Sequence, residues 1–208
     1  MVTCLVELHS VDPSSSYAHI FTALRQFALH LRTAFTTPDS REAFTSCINW
    51  PVLSCCRAIT AILCSSYEAT SHREGTTTTS MSSPLHDLLY PLVQVLQGLA
   101  RLASPTRYYP YRLHIAALLC ELQWASGSFI PTCGPLLEML NGGVLGAGTH
   151  KPKAVAPNNP TPLAYLIKAA PALLDTRAVQ DAMVSKILQL ILDSLKSQWR
   201  SPALPEIG

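Results

Sequence analysis

The sequence predicts an all-α protein: an irregular helical bundle, or a loosely HEAT-like α-solenoid of antiparallel helices, interrupted by two long flexible loops. Three observations predict it. Apolar residues recur at three- and four-residue intervals through most of the 208 positions, and alternation over a strand's length is hard to find. The periodic segments run roughly 10 to 25 residues, the size of paired helices in bundles and solenoids. Between them lie stretches of Gly, Pro, Ser, Thr and Asn that break either kind of periodicity. No fixed repeat period is visible, so HEAT-like describes only the pairing.

Residues 1–16 read as a short or disordered N-terminal segment, and residues 17–141 as the helical core. Its first helix runs from about Tyr17 to Phe35, with Ile20, Leu24, Phe27, Leu31 and Ala34 on one face and N-cap candidates in Ser14 to Ser16. A short helix follows near Arg41 to Asn49, where Asp39 and Glu42 have the spacing of a capping box. Trp50-Pro51 breaks the chain, because a residue before proline avoids the helical region and proline suits the first position of the next helix. That third helix is expected to end near Cys64. Residues 68–83, with four threonines in a row from Thr76, are expected to form a flexible loop that buries too little to offset its ordering entropy.

Ser83-Pro84 restarts order, and Leu85, Leu88, Leu92, Val95, Leu96, Leu99 and Leu102 form a wide apolar face reaching about Ala103. Gly98 inside that helix costs about 1 kcal/mol relative to alanine and suggests that another backbone packs closely there. Tyr109 to Ala125 makes a further helix stopped by Gly127, and Pro131 to Leu140 a shorter one stopped by Asn141-Gly142-Gly143. Residues 142–162 read as a Gly/Pro linker across which few contacts are expected. In the C-terminal segment, 163–208, Leu163 to Ile167 is either extended or helical. An amphipathic helix then runs from about Thr176 to Trp199, with Val179, Met183, Ile187, Leu188, Ile191 and Leu195 expected inward.

Composition narrows function. A chain of this length buries enough apolar surface to fold without metal or disulfide staples. Its 48% apolar and 13% charged residues leave little polar surface for an isolated monomer, so some apolar area is expected to meet a partner. The net charge of +2 arises from scattered side chains, so electrostatics alone nominate no partner. Arg57 interrupts the apolar stretch 52–63 and Arg101 the stretch 85–103, which argues against a membrane span, and the start has no secretory pattern. The seven cysteines, Cys4, Cys47, Cys55, Cys56, Cys64, Cys120 and Cys133, form no C-x-x-C pair and read as buried thiols in a reducing compartment.

No catalytic pattern emerges: there is no Gly-rich phosphate loop, no G-x-S-x-G elbow and no H-E-x-x-H helix. His30 and His114 stand alone on helices without Cys or His at metal-ligand spacing, so neither metal, cofactor nor small-molecule substrate is expected. Arg25, Arg32, Arg101 and Arg177 flank apolar faces, where pairing with a carboxylate or a helix end is the expected role. The most unusual composition is Arg107-Tyr108-Tyr109-Pro110-Tyr111-Arg112, rings and guanidinium groups alternating at a helix start. Three roles are open: packing under the helix start, a protein-binding hot spot, or RNA contact by stacking and phosphate binding.

Three stretches carry a family likeness. One comprises Leu24-Arg25-Gln26-Phe27-Ala28-Leu29-His30-Leu31-Arg32 with Glu42-Ala43-Phe44 and Asn49-Trp50. The strongest runs from Leu89-Tyr90-Pro91-Leu92-Val93-Gln94-Val95 through Gly98, Arg101-Leu102 and the Arg107 to His114 cluster, into Gly127-Ser128-Phe129-Ile130-Pro131 and Leu136-Leu137-Glu138. The last is Thr176-Arg177-Ala178-Val179-Gln180-Asp181-Ala182, with Pro205-Glu206 beyond it. Together they resemble the nucleolar complex protein 2 family in its C-terminal helical portion. The resemblance implies a fragment of a longer, non-enzymatic assembly factor of the large ribosomal subunit, in the nucleolus and nucleoplasm. It implies partnership with nucleolar complex proteins 1 and 3 on pre-ribosomal particles, and possible rRNA contact. On this reading the partner-binding candidates are Tyr90, Gln94, Arg101, Arg107, Tyr108, Tyr109, Tyr111 and Arg112.

Overall fold

The computed structural model describes residues 2–73, 83–141, 163–174 and 176–199. They fold as an all-α bundle: α1 (Val2–Val11), α2 (Pro13–Thr36), α3 (Arg41–Cys47), α4 (Trp50–Arg73), α5 (Leu89–Leu102), α6 (Tyr109–Ser126), α7 (Cys133–Met139), α8 (Pro171–Leu174) and α9 (Arg177–Gln198). Short 3-10 turns at Pro84–Leu88, Thr106–Tyr108 and Leu163–Tyr165 lead into α5, α6 and the C-terminal segment.

Helix α6 organises the bundle because it carries apolar residues on two faces, and a helix of that kind must be sandwiched. One face gives Tyr111, Ile115, Leu118, Leu119 and Leu122 to a large core shared with α2, α3, α4 and α5. The other gives Tyr109, Leu113 and Cys120 to a second core with Leu136 and Met139 of α7 and Val179, Met183, Ile187 and Leu190 of α9. The bundle is thus layered about α6 rather than stacked in regular helix pairs. It also joins the C-terminal helix to the rest: α9 shares a core with α6, against the expectation of few contacts across the linker. Residues 142–162 themselves lie outside the described residues.

Several boundaries shift for local reasons. Val2–Val11 is helical, and α2 begins at Pro13 because Asp12 accepts from the amides of Ser14 and Ser15. The cap of α3 is Ser40, whose hydroxyl accepts from the Ala43 amide, so the cap falls one residue after Asp39. Asn49 caps α4 by accepting from Val52 N at 2.8 Å. That helix runs nine residues past Cys64, to Arg73, because its polar residues carry only modest helix penalties. Of the expected loop at 68–83, residues 74–82 lie outside the described residues. Gly127 ends α6 at φ 65°, a conformation open to glycine.

The run Arg41–Thr70 is long and apolar enough to cross a membrane by length and composition, so Arg57 alone does not exclude a span, contrary to the expectation from sequence. Packing accounts for its composition: Leu53, Cys56, Ile59, Ile62 and Leu63 are buried in the α2–α6 core.

Candidate functional site

The Arg/Tyr cluster at the start of α6 is divided between interior and surface. Tyr111 is fully buried, and its hydroxyl donates to the Cys47 carbonyl at 3.2 Å. Burial pushes that phenol well above the ordinary tyrosine range, with Cys56 and Cys47 adding to the rise, so it stays protonated as a donor. Tyr109, two residues earlier, points about 200° away around the helix and is buried in the other core. Arg112 is buried too. Its Nη2 lies 3.5 Å from the Glu138 carboxylate, donates to the Pro135 carbonyl and leaves the guanidinium 5.9 Å from the Tyr109 ring centre, so it ties α6 to α7. Tyr111 thus fixes α6 to α3 in the larger core, while Tyr109 and Arg112 fix it on the side of the second. Stacking a base or a partner on Tyr109 or Tyr111 would require opening the fold, which corrects the expectation that they lie on a binding surface.

What remains outward is Arg107, exposed, and Tyr108, half-buried between it and Phe44, with ring centres 5.1 Å apart on the Phe44 side. On α5 the other candidates form one row. Tyr90, Gln94 and Arg101 fall within about 40° of each other on the helix, and all three are exposed, Tyr90 by 72%. The opposite side of α5, Leu92, Val95, Leu96 and Leu99, is fixed in the large core. The row is therefore rigidly presented. Of the arginines expected in ion pairs, Arg177 meets Asp181 at 3.8 Å in an exposed contact of little energetic weight.

A polar junction that the sequence reading did not single out clamps the segment after the linker. Arg57 of α4 donates to His114 Nδ1 at 3.3 Å, which leaves Nε2 to donate to the Leu166 carbonyl at 3.1 Å. The Ala169 amide also donates to the Arg107 carbonyl at 2.8 Å. Burial lowers the His114 pKa below 6.5, with Arg57 and Lys186 contributing and the Leu166 hydrogen bond opposing. Both ring nitrogens are committed to the fold. A second cluster lies under α9, where buried Gln123 donates to the Ser194 carbonyl at 3.0 Å and Thr132 to the Ser194 hydroxyl at 3.0 Å. Only long-range packing brings these residues together; spacing along the chain gave no signal.

Among the described residues no group of three or more His, Cys, Asp or Glu side chains could hold a metal ion. Burial raises the thiol pKa of Cys56 and Cys64 to about 12 and that of Cys120 to about 11, so these sulfurs are poor nucleophiles. A cleft of about 90 Å³ beside Phe27, Cys47 and Leu99 is small against the hundreds of cubic ångströms of a typical ligand site.

Comparison with known proteins places the chain beside nucleolar complex proteins. The chain is 32% identical over 196 residues to nucleolar complex-associated protein 2 of Arabidopsis thaliana, covering 94% of this chain and 23% of that protein. It is 25% identical over 203 residues to nucleolar complex protein 2 of Drosophila melanogaster, covering 98% and 24%. An uncharacterized NOC2 family protein of Schizosaccharomyces pombe is 29% identical over 204 residues, covering 97% and 27%. The chain thus spans about a quarter of the length of these relatives, and their names place it among nuclear, nucleolar proteins. The family sequence model matches the whole of residues 1–208, and the chain belongs to the Noc2p family.

Proposed function

We propose that this chain is part of a non-enzymatic scaffold in large ribosomal subunit biogenesis, binding partner helical assembly factors on pre-ribosomal particles in the nucleolus and nucleoplasm. The observation that carries the reading is the outward row of Tyr90, Gln94 and Arg101 on a helix whose other face is locked in the core. Tyrosine and arginine are the residue types that dominate protein hot spots, and a rigid row loses little entropy when a partner docks. Nucleolar complex proteins 1 and 3 are the partners this reading names. The relatives' names support the nucleolar setting. Direct rRNA contact retains less support, since of the cluster at 107–112 Tyr109, Tyr111 and Arg112 are internal.

Affinity purification of the tagged protein from nuclear extract tests it. Large-subunit assembly factors are expected to co-purify, and Tyr90→Ala with Arg101→Ala is expected to deplete them. A wild-type eluate without such factors removes the proposal.

A further inference from the structure

Helix α9 is apolar over more of its circumference than one core requires. Val179, Met183, Ile187 and Leu190 face α6 and α7 and are buried. A second row follows the 4-3-4 spacing of a helix-packing seam: Val184, Leu188, Ile191 and Leu195. At about 100° per residue, Val184 and Ile191 adjoin the buried row, so between Met183 and Ile191 the apolar surface continues around α9 without a polar border; Gln180 and Gln198 lie between the rows only at the ends. Both are half-buried at the edge of the second core, whereas Leu188, Leu192 and Leu195 are 48%, 54% and 40% exposed. These leucines correct the expectation that Leu188 and Leu195 face inward. In the first turn the exposed Arg177–Asp181 pair shares this flank, and Ser185, Lys186, Gln189, Asp193 and Lys196 occupy the remaining side.

A single stripe suffices for a helix at the edge of a bundle; apolar residues on adjoining faces mark a helix with neighbours on both. Helix α6 shows that pattern inside this molecule, and both of its faces are covered. The α9 row is continuous with an existing core, and about three quarters of each relative's length lies outside the matched residues. We infer that the Leu188–Leu192–Leu195 face seats an amphipathic helix from the portion of the full-length family protein that these residues do not include. On this view α9 is an inner helix of a larger bundle, whatever the protein does on the ribosome.

Two measurements test it. In the whole Arabidopsis relative, cross-linking mass spectrometry is expected to join the segment matched to α9 with residues outside the matched 196. In the 208-residue chain, Leu188→Lys with Leu192→Lys is expected to leave the melting temperature and a monomeric mass by light scattering unchanged. Cross-links confined to the matched region, or formed only between differently labelled copies, overturn the inference. So does a wild-type dimer that the lysines dissociate, or a fall in melting temperature showing that the leucines already belong to this chain's own core.

Discussion

The Tyr111 hydroxyl of α6 donates to the Cys47 carbonyl at the end of α3, 3.2 Å away, inside the larger core. This contact decides the character of the Arg/Tyr cluster, because a side chain holding two helices together is not available to a ligand. Tyr111→Phe keeps the ring and loses the donor, so a cost of about 1 kcal/mol in chemical denaturation is expected. Tyr111→Ala also leaves a cavity and should cost about 3–5 kcal/mol. Equal costs for the two variants would mean that the ring is not packed as described.

Gly98 of α5 leaves the space that Leu31 of α2 fills; a Cβ at Gly98 would overlap the Leu31 Cδ2. Gly98→Ala alone should therefore destabilise by about 1–2 kcal/mol, as overpacking outweighs the gain in helix propensity. In a Leu31→Ala background the same change should stabilise by about 1 kcal/mol, because only the propensity gain remains. A double-mutant cycle with no change of sign would refute the pairing.

His114 sets a pH dependence whose sign follows from its lowered pKa. The unfolded chain takes up the imidazole proton near pH 6.5 while the folded chain resists it, so stability falls as pH drops below about 6.5 and levels off beneath the folded value. Glu121, whose carboxyl is raised by partial burial, acts oppositely, since its folded form holds a proton that the unfolded form releases. His114→Gln isolates the imidazole: melting temperatures between about pH 7.5 and 5.5 should decline less in the variant than in the wild type. Parallel curves would contradict the assignment.

Gln123 anchors α9 to α6 through Ser194. Gln123→Leu should cost about 1–3 kcal/mol by leaving the Ser194 and Ser197 groups short of partners, and hydrogen exchange should speed up in the last turns of α9 first. Uniform loss of protection across the chain would argue against a local clamp.

Much of this fold was legible in the sequence because helix periodicity survives without an alignment. Leu85, Leu88, Leu92, Val95, Leu96 and Leu99 are buried as their spacing predicts, and so are Ile20, Leu24, Leu31 and Ala34 of α2. The cluster at 107–112 was legible only in part. Tyr109 and Tyr111, two residues apart, can both be buried only if both faces of α6 are, and the apolar residues on two faces of α6 were the available signal. Helix α9 misled for a related reason: with adjoining apolar rows, spacing alone does not say which one faces the core. The His114–Leu166 clamp joins residues 52 positions apart, and no local pattern encodes it.

The most direct test of the scaffold reading compares two variants in one affinity purification from nuclear extract. Tyr90→Ala with Arg101→Ala alters the exposed row of α5, whereas Arg107→Ala alters the exposed remnant of the Arg/Tyr cluster. The first is expected to lose most co-purifying large-subunit assembly factors at an unchanged melting temperature while the second retains them. Full recovery by the α5 variant, or loss of RNA together with all partners in the Arg107 variant, would contradict it.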